Sequence, residues 1–212
     1  MVVIEYIRSG GPVMVPILLA SVVAVATILE RLWALRRERV LPSSFRGEIF
    51  ELIRQNRWGD ALAVCRKRDV AAARLLEIAL LHRGEPRERI KERMEEIGRR
   101  ESAELERNVP MLGTIGSVST LLGLLGTVGG MILTFQVVGA SEEARAQDMA
   151  VGISQALVCT FGGLSVAILA VVANRSLLTR VDALTLDLEE FSIEVLDQLE
   201  GSAPEPREAA RA

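Results

Sequence analysis

Residues 108–141 read NVPMLGTIGSVSTLLGLLGTVGGMILTFQVVGAS and hold no Asp, Glu, Lys, Arg or His. About 20 apolar residues cross the hydrocarbon core of a bilayer, and this run is longer than that. Two more charge-free runs, 11–29 and 149–174, accompany it in a chain of 212 residues. Half of all residues are hydrophobic, and the mean hydropathy is +0.29. A soluble domain of this length has no core large enough for three such runs. In lipid, backbone N–H and C=O groups must be satisfied within the segment or a closed barrel. The sequence therefore predicts an all-α integral membrane protein with three transmembrane helices. The second and third extend beyond the membrane as long helices.

Charge sets the expected topology. Arg31, Arg36, Arg37 and Arg39 follow the first run, and Arg99, Arg100 and Arg107 precede the second. Glu142, Glu143, Arg145 and Asp148 follow the second run, and Arg175 and Arg180 close the third. Basic residues mark the cytoplasmic side, so the N-terminus lies outside and the C-terminus inside. The expected parts are an outer N-terminus (1–10), helix 1 (11–33, opening near Pro12), a cytoplasmic helical region (34–107) and helix 2 (108–138). An outer loop (139–148), helix 3 (149–174), a cytoplasmic helix (175–200) and a disordered tail (201–212) complete the chain. Ala24-Val25-Ala26 resembles a signal-peptidase site, but the residues before the run carry only Glu5 and Arg8, and the run is too long for a signal peptide.

Within 34–107, helices are expected at 45–55, 61–68 and 70–83, the first two separated by Asn56-Arg57-Trp58-Gly59 and the last stopped by Gly84. Pro86 opens a charged helix that is expected to run on to Val138, kinked at Pro110. After the third run, Val181, Leu184, Leu188, Phe191 and Val195 alternate three and four apart as a packing seam. The charges beside that seam are mostly acidic, and the 35–107 region is net basic.

The polar content of the membrane runs is hydroxyl, glycine and a few amides, of which Gln155 lies well inside a run. Thr120, Thr127 and Thr134 recur every seven residues, as do Gly116, Gly123 and Gly130, with Gly126 beside them. The third run carries a small-residue face of Gly152, Ala156, Thr160, Gly163, Ala167, Ala170 and Asn174. Small residues let helices approach closely, and hydroxyls bond across the contact or meet water. Two readings stand for the threonines: a packing face with self-satisfied hydroxyls, or the wall of a polar path. Gln155 has the same two readings, since a glutamine in hydrocarbon must be paired or wetted. Neither the second nor the third run has an Asp, Glu, Lys, Arg or His. A proton relay here needs either water and hydroxyls alone or a carboxylate from a partner. Cys65 and Cys159 lie far apart, and the single His82 has no ligand companions, so no disulfide framework, metal site or cofactor is expected. No phosphate loop, catalytic constellation or nucleic-acid signal is present, which argues against an enzyme.

The pieces GGPVMVPILLAS…ERLWALRR, STLLGLLGTVGGMILTF and GISQALVCTFGGLSVAILAVVANR resemble the ExbB/TolQ/MotA proton-channel family, nearest to ExbB and TolQ. The resemblance covers about 11–180. It implies a homo-oligomeric ring, a pentamer in the ExbB branch, in the bacterial inner membrane. The ring surrounds single-span helices of an ExbD- or TolR-like partner whose membrane Asp carries the proton, and passes work to a TonB- or TolA-like protein. The family's two membrane threonines match Thr127 and Thr160, whose implied role is to line the wall opposite the partner Asp. The family often has Glu where this chain has Gln155, and Pro where it has Thr120. The expected mechanism has the ionised Asp prefer the hydroxyl wall near Thr127 and Thr160 or an outer water path near Gln155, with protonation freeing its helix to move. A passive membrane scaffold without ion flux is the competing reading. A flagellar stator of the MotA type usually has a fourth membrane helix.

Overall fold

The computed structural model describes residues 10–140 and 146–201. The expected outer N-terminus short of Gly10, the middle of the 139–148 loop, and the tail after Gly201 lie outside the described residues. Among the described residues all regular structure is helical. The helices are α1 (Met14–Ala34), α2 (Arg37–Val40), α3 (Ser43–Arg54), α4 (Trp58–Lys67), α5 (Ala71–Leu81), α6 (Arg87–Glu106), α7 (Val109–Ala140) and α8 (Ala146–Gly201). They form two compact units.

The first unit takes α1 up to Leu32, α7, and α8 up to Leu178. It contains the apolar stretches of three helices long enough to cross a membrane. In α1, Met14, Ile17, Ala24, Thr27 and Arg31 are buried and lie on one face, while Val15, Leu19, Val22 and Leu29 are exposed. A helix apolar on both its packed and its exposed face suits lipid on one side and protein on the other. Thr27 satisfies its hydroxyl by donating to Val23 O at 2.9 Å. Arg31 is only 6% exposed, and its guanidinium grips Glu30 through two contacts of 2.5 and 2.6 Å. Pro12 does not open α1. It sits in the preceding turn, where Met14 N–H donates to Gly11 O and Val15 N–H to Pro12 O.

The expected unbroken helix from Pro86 to Val138 is interrupted. α6 ends at Glu106, Arg107 turns extended (φ −47°, ψ 137°), and Asn108 takes a left-handed φ of 68°. A proline ring clashes with the carbonyl four residues back, which for Pro110 is Glu106. Asn tolerates the left-handed region that such a break requires. The chain therefore breaks before the proline instead of bending at it.

The second unit takes 33–107 and α8 from Thr179. Its core is Phe45, Ile49 and Ile53 of α3, Ala61 and Cys65 of α4, Leu75, Leu76 and Ala79 of α5, and Ile90 and Met94 of α6. The seam of α8, Val181, Leu184, Leu188, Phe191 and Val195, is buried throughout. Phe191 meets Phe50 with ring centroids 5.8 Å apart. Trp58 and Gly59, expected in a linker, begin α4. Asn56 makes the turn with φ 57°, and Asp60 in the first turn of α4 suits the positive end of the helix. α2 is a single turn that periodicity is too coarse to detect.

The basic and acidic stretches do meet. Arg37 pairs with Asp187 at 2.9 Å, Arg46 with Glu194 at 2.5 Å, and Arg87 with Asp197 at 2.7 Å and with Glu200. These pairs are substantially exposed, so each contributes little to stability. A fully buried Phe contributes about 1.5–3 kcal/mol. The apolar seam therefore holds α8 in this unit, and the ion pairs select its register. Phe191→Ala should cost about 3–5 kcal/mol and lower Tm by roughly 6–20 °C. Arg46→Ala should cost under ~1 kcal/mol. Thermal unfolding of the detergent-solubilised chain measures both.

Burial, reinforced by nearby Glu77, pushes the Cys65 thiol from its ordinary value near 9 up to about 12. Between those pH values the unfolded chain releases this proton and the folded chain keeps it, so stability should fall as pH rises through that window. At pH 8 the thiol should resist iodoacetamide until the chain is denatured, as peptide mass mapping would show.

Candidate functional site

The first unit is built on the contact between α7 and α8. Neighbours run in opposite senses along the two helices: Gly113 with Asn174, Gly116 with Ala167 and Val171, Gly123 with Gly163, and Gly130 with Gly152 and Ala156. The pair is therefore antiparallel. A Cβ at Gly163 would lie 2.5 Å from Ser119 O and 2.8 Å from Gly123 Cα. One at Gly130 would lie 2.6 Å from Gly152 O, and one at Gly126 would overlap the Cβ of Cys159. At Gly152 it would overlap the Thr134 hydroxyl, and at Gly116 it would press on Val171 at 2.8 Å. At Gly130, Gly152 and Gly163 only hydrogen fits because the two backbones touch, and at Gly116 and Gly126 side chains of α8 fill the space.

The threonines do not share one environment. Thr120 is exposed, Thr127 half-exposed and Thr134 buried at 5% exposure. Seven residues fall about 20° short of two full turns, so a seven-residue stripe drifts around a straight helix. Each hydroxyl donates to its own helix: Thr120 to Gly116 O at 3.0 Å, Thr127 to Leu124 O at 2.6 Å, and Thr134 to Gly130 O at 3.0 Å. Thr160 differs. Its hydroxyl has Ala156 O at 3.1 Å on its own helix and Gly123 O at 3.3 Å across the seam. Thr127 follows Gly123 by one turn of α7, while Thr160 reaches Gly123 itself across the seam. Their hydrogens are engaged on carbonyls and their oxygen lone pairs remain as acceptors.

Gln155 belongs to a different surface. Its carboxamide sits where a side chain on Gly11 would be, and Gly11 itself has φ +66°, a conformation that glycine adopts freely. One turn further along α8, the Cys159 thiol donates to Gly10 O, and Met14 covers Gly162. Gln155, Cys159 and Gly162 thus face the start of α1, and Cys159 also packs against Gly126 of α7. The motif reading missed Cys159 and Gly162. The only signal for them was their spacing from Gln155, four and three residues at a time.

No Asp, Glu, Lys, Arg or His lies in 108–140 or 149–174, so the Thr127 and Thr160 face has no carboxylate, imidazole or amine of its own to carry a proton. Among the described residues no group of three or more His, Cys, Asp or Glu is placed to hold a metal ion. Large apolar side chains, among them Leu121, Leu124, Val128 and Phe135 on α7 and Leu157, Phe161, Ile168 and Val172 on α8, are exposed. They require lipid or other protein around them.

Residues 66–190, more than half of the chain, match the model of the MotA/TolQ/ExbB proton channel family. The chain belongs to that family. Among its relatives, a protein of Synechocystis sp. named ExbB-like 3 is 33% identical over 207 residues, covering 95% of this chain and 98% of that one. Another from the same organism, named ExbB-like 1, is 32% identical over 82% of this chain and 70% of its own length. The Tol-Pal system protein TolQ of Haemophilus influenzae is 40% identical over 109 residues, which is 50% of this chain and 48% of TolQ. The ExbB/TolQ likeness is thus full-length against one relative and partial against TolQ.

The seam yields a contrast between glycines. Gly163→Ala should force the helices apart and destabilise by about 1–3 kcal/mol. At Gly129, where nothing lies within 4 Å of an added Cβ, alanine should be neutral or raise stability by up to ~1 kcal/mol. Thermal melts of the two variants side by side provide the check.

Proposed function

We propose that this chain is the ring-forming subunit of a proton-motive-force-driven motor in the bacterial inner membrane. The N-terminus faces the periplasm and the C-terminus the cytoplasm, in keeping with the arginines that flank the spans. An ExbD- or TolR-like single-span partner supplies a membrane Asp, and the work passes to a TonB- or TolA-like protein. The family supports the class of activity, and the relatives' names, biopolymer transport and the Tol-Pal system, support the destination. The observation that carries the reading is the α7 and α8 pair, free of Asp, Glu, Lys, Arg and His in 108–140 and 149–174, with Thr160 bonded to Gly123 across the seam and Thr127 one turn further along α7.

In this reading the wall works through acceptors. The Thr127 and Thr160 hydrogens point at backbone carbonyls, so their lone pairs accept a hydrogen bond from a neutral carboxylic acid or a water. That favours the protonated partner Asp at the wall, the reverse of the order expected from sequence. An ionised acid has several kcal/mol of desolvation to offset and prefers the wetter ends of the path. The membrane potential contributes about 2.3 kcal/mol per charge per 100 mV, enough to drive a step between the two states. Gln155, turned towards Gly11, has no part in this step.

Thr160→Val keeps the shape and removes the hydroxyl. In proteoliposomes with the partner, proton flux should fall by roughly tenfold or more, the equivalent of one hydrogen bond at the rate-limiting state. The complex should keep its size on gel filtration. Unchanged flux contradicts the assignment, and a parent complex that assembles without carrying protons supports the scaffold reading instead.

A further inference from the structure

We infer that the turn following α1 is a binding site for the phosphate of an anionic phospholipid headgroup. Trp33 is the penultimate residue of α1 and is 54% exposed. An exposed indole at the end of an apolar helix sits at headgroup depth. The Arg39 guanidinium lies over that indole, 3.2 Å from the ring centroid. Stacking uses the face of the guanidinium and leaves its in-plane N–H donors free, which is the geometry that suits a phosphate. Arg36 opens the same turn, where Arg39 N–H donates to Arg36 O at 2.8 Å. The turn is fixed from below by Leu35, Val40 and Leu41, all buried.

Neither arginine has an acid partner among the described residues, and what sets them apart from other unpaired arginines of the unit, such as Arg83 and Arg89, is their place directly after the apolar helix α1. Arg37, between them, pairs with Asp187, and other arginines of the unit, such as Arg46, Arg68, Arg74 and Arg87, also face carboxylates. Among the described residues Arg36 and Arg39 form no ion pair, and both are exposed. Glu38, the one acid in the turn, accepts a hydrogen bond from Ser43 at 3.2 Å. Two uncompensated guanidinium groups, one of them held by an indole at headgroup level, fit a diester phosphate that the bilayer itself presents.

Trp33 and Trp58 are the two tryptophans of the chain, so Trp58→Phe leaves Trp33 as the sole reporter. The full chain in that background is reconstituted in bilayers, and Trp33 quenching by brominated phosphatidylglycerol is compared with that by brominated phosphatidylcholine. The relative binding constant should favour phosphatidylglycerol about fivefold or more. It should fall towards one in the Arg36→Gln, Arg39→Gln variant and hold in Arg37→Gln. Equal quenching by the two lipids in the parent overturns the proposal, as does an equal fall in Arg37→Gln, which reduces it to diffuse charge. Inorganic phosphate should leave the preference unchanged relative to chloride at matched ionic strength. Its loss under phosphate would assign the site to a soluble anion and overturn the lipid assignment.

Discussion

The backbones of α7 and α8 touch, and the first unit depends on that contact. Glycines on both helices bring Gly163 against Gly123 and Gly130 against Gly152, closer than any side chain allows. Such proximity replaces the hydrophobic effect, which gives little attraction between helices already in lipid. It also determines which hydroxyls are spent. Thr134 is pressed into the seam, while Thr127 and Thr160 border it with their lone pairs available. One packing decision thus sets both the stability of the pair and the polarity of its edge.

The second unit uses different physics. Its helices are short and amphipathic, and it gathers a soluble-type core around Phe45, Leu76 and Phe191. Ion pairs from Arg37, Arg46 and Arg87 to the acidic side of α8 add little energy, yet they are directional and resist a slip in register. α8 contributes to both units, with glycine and alanine on its packed face in the first and leucine, valine and phenylalanine in the second. A single helix therefore changes its packing chemistry partway along.

Much of this was legible in the residues. Three charge-free runs specify three membrane helices because lipid tolerates no other open backbone, and the spacing from Val181 to Val195 specifies the seam. The break at Arg107 and Asn108 was not legible, because it depends on a clash between Pro110 and a carbonyl four residues earlier and on an Asn able to turn left-handed. The seven-residue recurrence of Thr120, Thr127 and Thr134 suggested one stripe, but a straight helix carries such a set from exposed to buried. For Gln155 the sequence left open a bond to a neighbouring helix or a place on a polar path. Its neighbour is Gly11, and only the tertiary arrangement of the start of α1 against α8 reveals that.

If the proposed division of labour is right, this chain supplies a neutral wall and another chain supplies the acid. Proton flux into liposomes containing this protein alone, compared with the same protein co-reconstituted with its Asp-bearing partner, tests that division most directly. The account predicts background flux from the chain alone and a potential-driven flux that appears with the partner and vanishes when its Asp becomes Asn. Sustained proton conduction by the chain alone would contradict it.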